Sequence, residues 1–301
     1  MKPWIKRSAL GVVGLVAAAA ATLVAGVQLG ERKMQRHIEV AARPVALRSD
    51  AASVERGRYL FMSRGCVECH GADGGGKEVV SDGKGLRVVA PNIAPGPRGV
   101  VSAYAAADWE RTIRHGVKPD GRPLIVMPSE DYNRLTDDDL ASVVAFVRQL
   151  PPVQGEAAAI ELPAVVKALY AAGLMKDSAE KIDHRLPPST PVPEAVTPAH
   201  GAYVANACLG CHGMALQGGK IPGAPPDWPA AARLAPGDGS VMPRYADAQA
   251  FTAMLRSGKR PDGSEVSKVM PFISLQAMSD TDVQALYLHL KSLPAPSAGK
   301  S

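Results

Sequence analysis

The sequence predicts an all-α protein: two small helical domains in tandem behind an N-terminal transmembrane helix. Three observations carry that expectation. A 23-residue stretch near the N-terminus has no charged residue, a set of short motifs recurs about 142 residues further on, and no run shows the alternation of a half-buried strand. At 301 residues the chain is long enough for two or three modest domains.

The apolar stretch is Ser8–Gly30, "SALGVVGLVAAAAATLVAGVQLG", enough to cross a hydrocarbon core of roughly 30 Å as a helix. Lys2, Lys6 and Arg7 precede it and Arg32, Lys33 and Arg36 follow it, so flanking charge alone does not orient it. The run is longer than the apolar region of an ordinary secretory signal and continues into "ERKMQRH". Residues 1–30 therefore read as an uncleaved anchor, with a cleaved signal as the alternative, and 31–52 as a stalk. The formal charge of +5 is unevenly spread: residues 1–48 hold +6, which leaves the body at −1. A near-neutral body has no nucleic-acid footprint.

Beyond the stalk the chain divides into a first domain at 53–152, a connector at 153–198, a second domain at 199–296 and a tail at 297–301. Each domain opens with a short helix, "VERGRYLFMSRGC" or "HGAYVANAC". A Gly/Pro-rich loop follows, and then an amphipathic helix holding Trp109 or Phe251. The last helix starts at an N-cap, Thr136 or Ser279, with acidic residues in its first turn, and stops at Leu-Pro. "DWERTIRHGVKPDG" (108–121) aligns with "AFTAMLRSGKRPDG" (250–263) at an offset of 142, matching Ile113 with Leu255 and Arg114 with Arg256. In the connector, "LPAVVKALYAAGLMKD" (162–177) has the apolar content of a helix, expected to pack across both domains, and "RLPPSTPVPEAVTP" (185–198) reads as stiff and extended.

The chemistry is concentrated in two short motifs. All four cysteines fall in Cys66-Val67-Glu68-Cys69-His70 and Cys208-Leu209-Gly210-Cys211-His212, which leaves none for a disulfide framework. A four-ligand zinc site brings its second pair within a few tens of residues, whereas these pairs lie well over a hundred apart. A thioredoxin-like centre has no need of the histidine. Two thiols and an adjacent imidazole are what covalent attachment of haem requires. With 7 histidines in 301 residues, their position after both pairs by chance is a roughly one-in-two-thousand event.

These motifs, with "APNIAP", "IRHGVKPDG", "VMP" and "LTDDDL" in order, resemble the class I cytochrome c fold, duplicated. Within it the chain is similar to the membrane-anchored di-haem cytochrome c proteins and subunits that serve periplasmic dehydrogenases. The resemblance covers roughly 53–152 and 199–296 and implies two covalently bound haem c groups, at Cys66/Cys69 and Cys208/Cys211, with His70 and His212 as axial iron ligands. It also implies haem domains in the periplasm beyond an inner-membrane anchor. One departure is His289, where the first domain has Phe146.

For the sixth iron position, Met127 and Met270 are singled out by the repeat: each lies in Val-Met-Pro, 57 and 58 residues after its histidine. A His/Met pair gives a low-spin electron-transfer iron. Met242 is the rival, but its counterpart is Val101. Arg114 and Arg256 suit haem propionates or exposed helix charges. Pro91 is expected to offer the carbonyl that orients the proximal imidazole, with "APPDWP" (224–229) in its place in the second domain. His37, His184 and His200 read as solvated, His115 as a surface or propionate contact and His289 as a half-buried packing residue.

The expected function is electron transfer from a dehydrogenase or quinol-oxidising complex to a soluble cytochrome c or terminal oxidase, with no catalytic residue of its own. A cytochrome c subunit of a haem-copper oxidase is a variant. The alternative is a di-haem enzyme such as a peroxidase or thiosulfate dehydrogenase, which needs an open iron position that two methionine caps deny.

Overall fold

The computed structural model describes residues 3–225 and 227–294. Met1 and Lys2 of the expected anchor, Pro226 of "APPDWP", the last two residues of the second domain and the 297–301 tail lie outside the described residues. Helix α1 (Pro3–Met34) is long and apolar enough to cross a membrane, and none of its apolar window is buried against the protein. The stalk lies against the body. It is strapped along it, with Ile38 N–H donating to Gly121 O (2.9 Å), Val45 N–H to Ala106 O (3.1 Å), and Arg43 bonded to Glu110.

The first helical unit contains α2 (Ala51–Ser63), α3 (Cys66–His70), α4 (Ala106–His115), α5 (Ser129–Tyr132) and α6 (Asp137–Val147). After the short connector helix α7 (Ala164–Ala171), the second contains α8 (Pro198–Val204), α9 (Leu209–His212), α10 (Ala248–Ser257), α11 (Phe272–Ala277) and α12 (Asp280–Ser292). Thr136 and Ser279 cap α6 and α12, each hydroxyl accepting from a backbone N–H three residues on at 3.1 Å, so the predicted starts hold.

In both units the opening helix crosses the closing helix where a glycine removes the side chain from the contact. A Cβ on Gly57 would fall 1.9 Å from Ser142 O and 2.8 Å from Phe146 Cβ. On Gly201 it would fall 1.9 Å from Ala285 O and 2.8 Å from His289 Cβ. His289 thus occupies the place of Phe146, half-buried as expected, without displacing the helix. Around each crossing lies one apolar cluster. The first has Leu60, Phe61, Trp109, Leu140 and Val144; the second has Val204, Phe251, Leu255, Val283 and Leu290. Tyr104 meets Trp109 edge-on at 5.2 Å, and Tyr245 meets Phe251 edge-on at 5.3 Å.

The all-α expectation needs correcting in one place. Strands β1 (Lys77–Ser81), β2 (Arg87–Ala90) and β3 (Ala159–Glu161) form an antiparallel sheet in the order β1-β2-β3. Each strand is too short for alternation to register in the sequence. The hairpin is closed by Asp82, whose carboxylate accepts from Lys84 and Leu86 N–H. The second correction concerns α7, which packs on α1 instead of lying across the two units.

Candidate haem attachment sites

Helix α3 is barely more than one turn, and that is what its chemistry needs. Residues three and four apart share a helix face, so Cys66, Cys69 and His70 lie together while Val67 turns into the core. His70 Nδ1 stands 3.0 Å from Pro91 O. A carbonyl only accepts, so Nδ1 carries the proton and the Nε2 lone pair is left for a metal. Burial lowers the His70 pKa, and the Pro91 bond offsets only part of that, so the imidazole stays neutral. Burial also pushes the Cys66 thiol up to about 12, the reverse of the depressed value that a redox-active dithiol requires.

The second motif repeats the arrangement. Cys208 ends a 3₁₀ turn that leads into α9. His212 Nδ1 lies 2.7 Å from Ala232 O, and its pKa is likewise lowered by burial. Ala232, not the 224–229 stretch, is therefore the counterpart of Pro91. Backbone carbonyls carry no residue signature, and only the local offset of 141 to "ARLAP" (232–236) marks the match. Burial raises the Cys208 thiol to about 12 as well.

Met127 and Cys66 both pack against the first apolar cluster, and Met270 and Cys208 both pack against the second. The prolines that follow have nearly the same backbone angles, φ −79° and ψ 67° at Pro128, φ −78° and ψ 70° at Pro271, and each caps a short helix. Met242 lies within the second cluster, 3% exposed, as Val101 lies within the first.

Other sequence expectations are redirected. The guanidinium of Arg114 donates to Leu135 O (2.6 Å) and Asp137 (2.9 Å), and that of Arg256 to Met278 O (2.6 Å) and Asp280 (2.9 Å). Both arginines secure the start of a closing helix. His200 is not solvated: it is buried, with Nε2 2.6 Å from Asp282 Oδ1. His115 is buried too, and its Nδ1 lies 3.0 Å from Nδ1 of the half-buried His184. His37 is exposed, as read.

The sequence reading missed the residues that set the two motifs against each other. Glu68, inside the first motif, accepts from Ser274 N–H at 2.9 Å, at the start of α11 just after Met270. Gly210, inside the second, donates its N–H to Asp131 at 2.6 Å, in α5 just after Met127. Each attachment motif thus touches the segment that follows the other unit's Val-Met-Pro. Burial pushes the Asp131 carboxyl up to about 7 against the pull of that N–H. A second reciprocal pair lies beside the first. Tyr59 OH donates to Asp282 (2.6 Å) and accepts from Ser279 N–H (3.0 Å). Tyr203 OH donates to Asp139 (2.6 Å) and accepts from Thr136 N–H (3.2 Å). This is the pattern of an isologous contact, here between two parts of one chain. Its signal in the sequence was the recurrence of Tyr and Asp at offsets of 144 and 143.

The donor set fits haem c: protonated thiols, a neutral imidazole held by its Nδ1, and a thioether on the same apolar cluster as the first cysteine of its motif. Comparison with known proteins agrees. A family model described as cytochrome c matches residues 54–151. The fructose dehydrogenase cytochrome subunit of Gluconobacter japonicus is 26% identical over 285 residues, covering 84% of this chain and 55% of that one. The cytochrome c subunits of alcohol dehydrogenase (quinone) from Gluconobacter oxydans (strain 621H) and Gluconacetobacter polyoxogenes are 29% and 30% identical, covering 84% and 83% of this chain and 57% and 58% of theirs. Matches that long include both motifs, although the chain spans little more than half the length of these relatives. Residues 54–151 are a cytochrome c domain, in a chain similar over most of its length to the cytochrome subunits of fructose and alcohol dehydrogenases.

Proposed function

We propose that the chain is a membrane-anchored di-haem c-type cytochrome, built from a duplicated class I domain, that carries electrons between a dehydrogenase and a downstream acceptor. The observation that carries this is the matched pair of attachment motifs, each with its histidine locked by a backbone carbonyl and each in contact with the other unit. Haem bound at such a site supplies one-electron chemistry at its iron. Cys66 and Cys69, and Cys208 and Cys211, provide the thioether attachment. His70 and His212 would offer Nε2 to the iron, with Pro91 and Ala232 holding each ring through Nδ1, and Met127 and Met270 would supply the thioether ligands. Glu68, Asp131, Tyr59 and Tyr203 hold the two sites in one arrangement, so electron exchange needs no domain movement.

The donor is a dehydrogenase, in line with the printed names of the relatives, or a quinol-oxidising complex. The acceptor is a soluble cytochrome c or a terminal oxidase. The body faces the periplasm from the inner membrane. An uncleaved anchor is supported by the packing of its last turn on α7, where a Cβ on Gly26 would fall 2.8 Å from Ala168 Cβ and one on Gly30 2.3 Å from Lys167 O.

Rapid mixing of the reduced protein with an oxidised soluble cytochrome c, and separately with hydrogen peroxide, tests the carrier reading. Fast oxidation by the cytochrome without peroxide turnover is expected; catalytic peroxide turnover would overturn it. Gentle solubilisation followed by mass spectrometry should recover a dehydrogenase with the tagged chain.

A further inference from the structure

We propose that helix α7 is a second membrane contact, with its outer face lying in the lipid headgroup region beside α1. The inference rests on reading α1 as an uncleaved anchor. Helix α7 has three faces. Val166 and Tyr170 turn into the body, where Tyr170 is fully buried with Leu162 and Ile125. Lys167 and Ala168 press on α1: a Cβ on Gly26 would fall 2.8 Å from Ala168 Cβ, and one on Gly30 would fall 2.3 Å from Lys167 O. The third face carries Val165 and Leu169, four residues apart and 57% and 41% exposed, and Leu174 continues it at 77%. Apolar surface gains free energy on leaving water, so this face in water forgoes a gain that lipid would provide.

Lipid is the occupant because of where α7 is fastened. Gly26 and Gly30 belong to the last turn of the 23-residue apolar run, so the contact lies at the end of the span and not above it. The four-residue step from Gly26 to Gly30 rises about 6 Å, which is within the roughly 5–10 Å depth of a helix lying in a bilayer interface. Leu23, Val24 and Leu29 of α1 are exposed along the same level, so the apolar surface of the span continues onto α7. Polar groups gather on the body side of the junction: Lys167 with Glu31, Lys33 with Glu180, and Arg36 with Asp177. Apolar below and charged above is the layout of an interfacial segment. With α1 it gives the body a two-point footing, which fixes its tilt over the membrane.

The test uses the full-length protein alone in lipid nanodiscs, which removes any protein partner. Single cysteines at Leu169→Cys, Leu174→Cys, Val16→Cys and Arg185→Cys carry nitroxide labels; the native cysteines are taken up in haem attachment. Relaxation by oxygen is compared with relaxation by a water-soluble nickel chelate. The expected result is loss of chelate relaxation at 169 and 174, as at 16 in the span, with full relaxation at the exposed 185. Labels at 169 and 174 as open to the chelate as 185, with 16 still shielded, overturn the contact and leave the anchor standing. A label at 16 that is itself open to the chelate overturns the anchor and the contact with it.

Discussion

Asp139 and Asp282 stand at the same point of α6 and α12 and accept a hydrogen bond from the other unit's tyrosine, yet they are compensated in different ways. Asp139 is paired with Arg56, a partly exposed side chain that also reaches Glu194. Asp282 is paired with Arg64 at 2.5 Å and with His200, both all but sealed from solvent. The aspartate of the second unit lies deeper than that of the first, and so does the arginine that pairs with it. Matching geometry therefore does not imply matching energetics, and the two units should respond unequally to equivalent substitutions.

The largest effect is expected at that pair. Asp282→Ala strands a buried guanidinium and should cost about 3–5 kcal/mol, whereas Asp139→Ala should cost clearly less because Arg56 keeps water and Glu194. Denaturant midpoints of the two variants decide it, and equal losses would break the comparison. Next come Tyr59→Phe and Tyr203→Phe, each losing a bond to a carboxylate worth about 1.5–3 kcal/mol. A double-mutant cycle of Tyr59→Phe with Asp282→Asn should show strong coupling, and one of Tyr59→Phe with Asp139→Asn little. Gly57→Ala and Gly201→Ala overpack equivalent crossings and should each cost about 1–3 kcal/mol. Here the two units should agree, and melting temperatures that diverge would show that His289 relaxes a contact that Phe146 does not.

The comparison extends to pH, where two carboxylates of the same interface act with opposite sign. Burial alone would raise the Asp282 pKa, but Arg64, Tyr59 and His200 outweigh it and the net shift is downward. Its contribution is present above the unfolded carboxylate value of about 3.9 and is lost as pH falls through the lower folded value. The Asp131 carboxyl, raised to about 7, binds a proton more tightly when folded, so it costs stability as pH climbs from about 4 towards 7. Asp131→Asn should flatten that part of the stability curve, and Asp282→Asn should flatten the acid limb. A steeper profile in either variant would contradict the assignment.

What was legible in the sequence is what local chemistry dictates. The spacing of Cys66, Cys69 and His70 sets all three in one helical turn, a capping hydroxyl marks the start of α6 and of α12, and the repeat pairs Met127 with Met270. What was not legible depends on the spatial placement of distant segments. The Tyr–Asp pairs lie between units, the carbonyl at Ala232 has no identity of its own, and α7 finds its partner in a helix more than a hundred residues earlier. The sheet was missed because β3 comes from the connector and pairs only through three residues.

The claim on which the rest depends is that both motifs hold haem. Intact mass spectrometry of the purified protein, beside a Cys208→Ala/Cys211→Ala variant, tests it most directly. The account predicts the chain mass plus two haems for the native protein and plus one for the variant. A native protein carrying a single haem, unchanged by loss of the second cysteine pair, would contradict it.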